Sequence, residues 1–203
     1  MNRLHHWLCR SARWRKIIEQ REPWVLSGAN LGQDVLEVGP GPGVTTNLVR
    51  LRAPRLTAIE LDPKLAESLR ARLRGSNVDV VTGDATSMPF ADGQFSGGVS
   101  FTMLHHVPST ELQDKLLREV WRVIRPGGAF VGSDSLQSLS MRVIHMGDTL
   151  LPIDPHGFGA RLETAGFEVI EIEKKTDVFR FHARKPGRKK ETEVKGNLRR
   201  IRS

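Results

Sequence analysis

The sequence predicts an α/β fold, a doubly wound and mostly parallel sheet that ends in an antiparallel hairpin. Three observations lead there. Short apolar runs alternate with helical patterns from residue 34 onward, the order that a parallel sheet with covering helices produces. Directly after the first run, Gly39, Gly41 and Gly43 fall within five residues, where a strand-to-helix turn brings its backbone close to a ligand. The last two runs lie so close together in sequence that a hairpin, not a crossover, must join them.

The elements follow in order. "DVLEVG" (34–39) reads as a buried strand, and "VTTNLVRLR" opens the helix after the glycine turn. "RLTAIEL" (55–61) is the second strand. Asp62 then offers an N-cap and Pro63 a first helical residue, with Leu65, Ala66, Leu69 and Leu73 on one face before Gly75. "VDVVTG" (78–83) and "FSGGVSF" (95–101) are strands three and four. Thr110 and Gln113 suggest a capping box for a helix through Ile124, which "RPGG" ends. "GAFVGSD" (128–134) is the fifth strand, "HGFGARLETAG" a short helix, and "FEVIEIEKK" and "VFRFHAR" the closing pair.

Composition sets bounds on function. No run approaches the roughly 18 apolar residues of a membrane span. The N-terminus lacks an apolar signal core, so a cytoplasmic protein is expected. Cys9 is the one cysteine and cannot form an internal disulfide. The net charge of +8 is unevenly spread: residues 1–22 carry +4, residues 185–203 carry +6, and 23–184 carry −2. Three segments are therefore expected: an N-terminal helical cap (1–30), the α/β domain (31–184), and a basic, disordered tail (185–203) suited at most to weak contact with polyanions.

The residues around the glycines narrow the ligand. No lysine follows them, as a phosphate-gripping loop requires, and Val44 stands where the third glycine of a dinucleotide fingerprint belongs. Glu37, at the end of strand one, would repel a pyrophosphate, since a unit-charge pair is worth roughly 4 kcal/mol at about 4 Å and an effective dielectric near 20. The same carboxylate would attract an ammonium or sulfonium group. Glu60 lies 21 residues beyond Gly39, where a carboxylate can accept from both ribose hydroxyls. Asp84, closing strand three, is placed to read an adenine amino edge, or else is a turn residue.

Together, "EVGPGPG", "AIELDP", "GDATSMPF", "FSGGVSFTMLHHV", "LREVWRVIRPGGAFVGSD" and "LETAGFEVIEIE" resemble the class I S-adenosylmethionine-dependent methyltransferases. The likeness is greatest to the small-molecule branch that includes ubiquinone- and menaquinone-pathway-like enzymes, and it covers about residues 30–184. It implies a Rossmann-like methyltransferase fold with seven strands. It also implies S-adenosyl-L-methionine contacts from Glu37, Gly39, Pro40, Gly41 and Gly43, ribose binding at Glu60 with Leu61 beside it, Asp84 and Ala85 at the adenine, and backbone contact near Phe101. Ser96 departs from the family's usual Asp.

The sulfonium methyl is already activated, so the protein's main task is to align an acceptor with it. His105 and His106, just beyond strand four, are the candidate proton acceptors; the alternative is that they pack or hydrogen-bond there. Adjacent imidazoles need not converge, and no carboxylate cluster completes a metal site, so no metal is expected. Acceptor selection is assigned to Trp7, Trp14 and Trp24 and to residues 135–158, where Met141, Val143, Ile144, Met146, Leu150 and Leu151 offer an apolar wall. The expected activity is methyl transfer to a small molecule. The alternatives are a nucleic-acid methyltransferase using the basic tail and a non-catalytic cofactor-binding module.

Overall fold

The structure, a computed structural model, describes residues 11–138, 141 and 145–187. Cys9, Trp7, Val143, Ile144 and the tail from residue 188 lie outside these. Helix α1 (Ala12–Val25) precedes β1 (Asp34–Val38), α2 (Val44–Val49), β2 (Arg55–Glu60), α3 (Pro63–Arg72), β3 (Val78–Thr82) and β4 (Phe95–Phe101). A 3-10 turn at Leu104–His106 leads to α4 (Thr110–Val123), β5 (Ile124–Ser135), α5 (Pro155–Thr164), β6 (Glu168–Lys174) and β7 (Val178–Arg184).

The seven strands form one sheet in the order β3-β2-β1-β4-β5-β7-β6. The first five run parallel, and β7 pairs antiparallel with both β5 and β6. The order reverses between β1 and β4, so the crevice beyond their carboxyl ends is the switch point at which open α/β sheets bind ligands.

Alternation along the strands divides two apolar layers. Leu36 and Val38 pack with Phe130, Leu116 and Phe181 in one; Val35 packs with Val49, Leu56, Val99 and Val131 in the other. Glu37, one residue from each apolar neighbour, shares the face of Val35. Ser96, the departure from the family's Asp, ties the sheet's start together: its hydroxyl accepts from the Asp34 amide at 2.9 Å and donates to the Leu31 carbonyl at 2.8 Å.

Several sequence-derived boundaries hold. Asp62 caps α3 by accepting from the Lys64 and Leu65 amides, with Pro63 at its first position. Others shift. Ser109, not Thr110, caps α4, accepting from the Leu112 amide at 3.2 Å. Gln113 turns inward, its amide donating to the carbonyls of Leu104 and Leu151, each at 3.1 Å. Strand β5 begins at Ile124, ahead of the prolyl-glycine stretch, where Gly127 takes a positive φ of 82° and a Cβ at Gly128 would lie 2.5 Å from the Ser96 carbonyl oxygen. Helix α5 begins one residue early, at Pro155, capped by Asp154.

Candidate active site

The carboxyl ends of β1, β2 and β4 open into a cavity of about 1120 Å³. One wall is the glycine turn. Gly39, Gly41 and Gly43 all have positive φ (66°, 53° and 81°), a backbone that L side chains adopt only under strain. A Cβ at Gly39 would lie 2.1 Å from Met103 Cγ, and one at Gly43 2.3 Å from Leu69 Cδ1. A Cβ at Gly41, by contrast, would meet nothing within 4 Å, so that side of the turn faces open space.

Glu60 sits against this turn, 7% exposed. Its carboxylate accepts from the Gly41 amide at 2.9 Å and the Asp62 amide at 3.0 Å, and burial pushes its pKa up against those bonds. Pro40, Leu61, Asp84, Ala85 and Phe101 join Gly39, Gly41 and Glu60 in the lining. The Asp84 side chain accepts from the Thr86 amide at 2.8 Å.

Glu37 and Gly43 do not line the cavity. Glu37 is 1% exposed and buried behind the turn, where the Thr45 hydroxyl donates to its Oε1 at 2.5 Å. Its Oε2 has no partner among the described residues. Burial pushes the pKa of this acid up to about 7, with the Thr45 bond opposing. An orphaned carboxylate oxygen under a turn of bare backbone suits a ligand that is cationic at that end, or a water bridging to it. A nucleoside with an ammonium and sulfonium group therefore fits the residues present.

The other end of the cavity is built from side chains. After β4, Thr102 takes a positive φ of 48° while its amide donates to the Ser133 carbonyl at 2.7 Å. Such a conformation in a non-glycine residue persists only where its surroundings impose it. It leads into His105 and His106, both in the lining. His105 is 3% exposed, with Nδ1 2.5 Å from Oδ1 of Asp134. Asp134, fully buried near the end of β5, also accepts from the backbone amides of His105 and Ser135.

A third histidine, His145, arrives from the segment after β5. Its Nδ1 lies 2.7 Å from the Met141 carbonyl, and its ring centre is 5.1 Å from both other rings, which are themselves 4.2 Å apart. Burial, with His105 nearby, lowers its pKa. Since a carboxylate and a carbonyl can only accept, both Nδ1 atoms donate, and in the neutral form of either ring the lone pair sits on Nε2.

Of the proposed acceptor wall, Trp14 and Met141 line the cavity, joined by Arg21 of α1, while Trp24, Met146, Leu150 and Leu151 do not. Trp24 braces α1 instead, donating from Nε1 to Glu173 at 3.1 Å beneath the Lys175 ammonium. Asp134, Thr45, Met103 and His145 escaped the sequence reading. Thr45 and Asp134 are ordinary strand- and helix-end residues in one dimension, and only tertiary packing brings His145 beside a pair some 40 residues earlier.

Residues 36–132 match the family model of a methyltransferase domain. A probable S-adenosylmethionine-dependent methyltransferase of Mycolicibacterium smegmatis is 32% identical over 148 residues, 68% of this chain and 53% of that protein. A probable ribosomal RNA small subunit methyltransferase A of Thermococcus onnurineus is 47% identical over 62 residues, 30% of this chain and 23% of that one. The chain thus spans about half, or less, of these relatives' length. Among solved structures, the methyltransferase bound to the Trm112 activator of Haloferax volcanii superposes with a TM-score of 0.74 at 16% identity, over 92% of this chain and 99% of the other. No helix among the described residues is long and apolar enough to cross a membrane.

Proposed function

We infer the activity from a membership: the chain belongs to the class I S-adenosylmethionine-dependent methyltransferases, and we propose that it moves a methyl group from S-adenosylmethionine to a small-molecule acceptor. One observation carries the choice of acceptor. A single cavity joins the glycine turn to the histidines, and its roughly 1120 Å³ exceeds the upper end of about 1,000 Å³ usual for one small ligand. It has room for a nucleoside cofactor and a compact acceptor together.

The cofactor supplies a sulfonium-bound methyl, already a good electrophile. The chain's residues supply the rest. Gly39 and Gly41 present backbone to the cofactor's amino-acid end, above the buried carboxylate of Glu37. Glu60, held by two backbone amides, accepts from the ribose hydroxyls. Asp84 and Ala85 border the base, and Leu61 covers the sugar's outer face. At the far end, Nε2 of His105, held in position by Asp134, takes the acceptor's proton where the acceptor must lose one, with His106 beside it. Trp14, Arg21 and Met141 shape the space for the acceptor. Enclosure of both ligands aligns the nucleophile with the methyl, and well-oriented reactions gain up to about 7–11 kcal/mol in this way.

A ribosomal RNA acceptor is the rival, favoured by the Thermococcus relative's name and the basic ends. Against it, "TMLHHV" follows β4 with no NPPY-like motif, and the C-terminal tail has no aromatic residue for base stacking. The full chain should be given S-adenosylmethionine carrying a labelled methyl, with pooled small aromatic and quinone-like acceptors in one arm and total RNA in the other. Label in the small-molecule arm is the expected result, and label confined to RNA would reverse the choice. Binding of S-adenosylhomocysteine but not NAD, by calorimetry, checks the cofactor independently of the acceptor.

A further inference from the structure

His105, His106 and His145 form the one group of three potential metal ligands among the described residues, with one ring nitrogen from each within 4.8 Å of the others. His105 and His106 come from the 3-10 turn after β4; His145 comes from the segment between β5 and α5. The chain brings them together deliberately in its hydrogen bonding. The Leu151 amide donates to the His105 carbonyl at 2.8 Å, and Gln113 clasps the carbonyls of Leu104 and Leu151 from inside. The segment carrying His145 is thereby fastened to the turn carrying the other two.

Two of the three rings are also braced as metal-binding imidazoles are braced. A ligating histidine usually donates its other N–H to a carboxylate or backbone carbonyl, which fixes the tautomer and raises the basicity of the ligating nitrogen. Asp134 does this for His105 and the Met141 carbonyl for His145. Both backing groups leave the lone pair on Nε2, the form a metal needs; a His105 that holds an ion there no longer takes the acceptor's proton, which the ion's charge would instead make acidic enough to pass to water. Asp134 is fully buried, a cost its bonds to the His105 ring and to the His105 and Ser135 amides offset, and the same bonds fix that ring's orientation.

We propose that His105, His106 and His145 bind a divalent ion of the zinc class at the acceptor end of the cavity. Three neutral imidazoles without oxygen ligands disfavour magnesium and calcium and suit zinc, cobalt or nickel. Zn–N bonds of about 2.0–2.1 Å imply ligand nitrogens roughly 3.3 Å apart, so the rings must draw together by up to about an ångström and a half on binding. Three protein ligands leave a fourth position, which opens to the cavity these same residues line. Water would hold it at rest, and an oxygen, nitrogen or sulfur of the acceptor would displace that water. The ion would so select acceptors that carry a coordinating heteroatom. This choice of acceptor rests on the methyl-transfer reading, whereas metal binding itself does not.

The test uses the full chain, stripped with chelator and titrated with Zn²⁺ by calorimetry and with Co²⁺ by visible absorption. One ion per chain is expected, with the intense cobalt bands of a four-coordinate site. His106→Gln and His145→Asn should each weaken binding more than tenfold and abolish those bands. Asp134→Asn, which touches no ion, should weaken it about ten- to hundredfold. Circular dichroism and S-adenosylhomocysteine affinity, followed in parallel, identify any variant that has lost its fold, and the two histidine substitutions serve as independent probes. Failure to take up one ion per chain would overturn the proposal, as would equal uptake by folded His106→Gln and His145→Asn, or loss of uptake in a His5→Ala/His6→Ala variant instead. Metal uptake without any methyl transfer would overturn only the functional reading.

Discussion

The two ends of the cavity are made differently. At the end proposed for the cofactor the surface is mostly backbone: Gly39 and Gly41 at positive φ in a turn that Gly43 completes, the amides of Gly41 and Asp62 holding Glu60, and a buried carboxylate behind them. All of it comes from β1, β2 and the turns that follow them. At the histidine end the surface is side chains from four places, the turn after β4, the end of β5, Met141 with His145 and residues 147–149, and α1. Backbone presented by a short turn is preformed once the sheet pairs. Imidazoles brought together from distant segments depend on the whole fold and on the groups that aim them. The first end should therefore tolerate changes beyond its own turn, and the second should respond to residues that touch no ligand, Asp134 above all.

The largest expected effect tests whether the preformed end is tuned for a ligand or for stability. Glu37 ionises near 7 in the folded chain, against an ordinary value of 4.5. Below about 4.5 both folded and unfolded forms are protonated, and the group costs nothing. As pH rises from there to about 7 the unfolded chain gives up its proton first, so stability falls, and above 7 the cost is constant. A shift of this size corresponds to about 3 kcal/mol. Glu37→Gln should remove the decline, leaving the ligand-free protein more stable than wild type at pH 8 and little different at pH 4.5, as read from urea unfolding across that range. Its affinity for S-adenosylmethionine should fall. If the variant were no more stable at pH 8, Glu37 would not be the strained group that burial makes it.

How much of each end was visible beforehand follows from the same contrast. The glycine turn, the Asp84 turn and the Asp62–Pro63 helix start are local patterns, because hydrogen bonds within a turn or cap depend on neighbours in sequence. Glu60, by contrast, is placed by its spacing of 21 residues from Gly39 and meets the Gly41 amide only once β1 and β2 pair. Strand four was readable to the residue, Phe95–Phe101, because its apolar run is bounded by turns on both sides. The position of Glu37 was not readable. Spacing places a carboxylate at a strand end but does not say which face it takes, and the face toward α2 buries it away from the cavity. The α4 cap was missed by one residue because Gln113, which resembles half of a capping box, serves a tertiary role instead. Convergence of His145 on His105 and His106 has no sequence period at all. It depends on a loop closing, which a single sequence does not encode in any short pattern.

A middle-sized effect sharpens the contrast from the cofactor side. Glu60→Ala should weaken S-adenosylhomocysteine binding by about 1–3 kcal/mol, the scale for losing a charged hydrogen-bond partner, read as a roughly five- to 150-fold rise in Kd by calorimetry. The fold should survive, since the residue ends a strand and the amides of Gly41 and Asp62 can turn to water. Metal uptake at the histidines should stay as it was, because the Glu60 carboxylate is held by the Gly41 and Asp62 amides and not by the histidines. An unchanged Kd would show that the ribose is held elsewhere.

The smallest effect concerns what belongs to neither end. Every described residue of the cavity wall lies between Trp14 and Asp177, so deleting residues 187–203 should leave transfer to the small acceptor nearly intact. The deleted stretch has only Val194, Leu198 and Ile201 as large apolar residues. What it does carry is positive charge: residues 185–203 have eight Lys or Arg against two Asp or Glu. The full chain should adhere to polyanions without regard to sequence and release them as salt rises, and the truncated chain should adhere less. Turnover is to be compared between the two at low and at moderate salt, with S-adenosylhomocysteine affinity as the control for folding. Should truncation abolish turnover while that affinity holds, the tail would be part of the acceptor site. The side-chain end would then extend beyond the cavity, and RNA would become the favoured substrate.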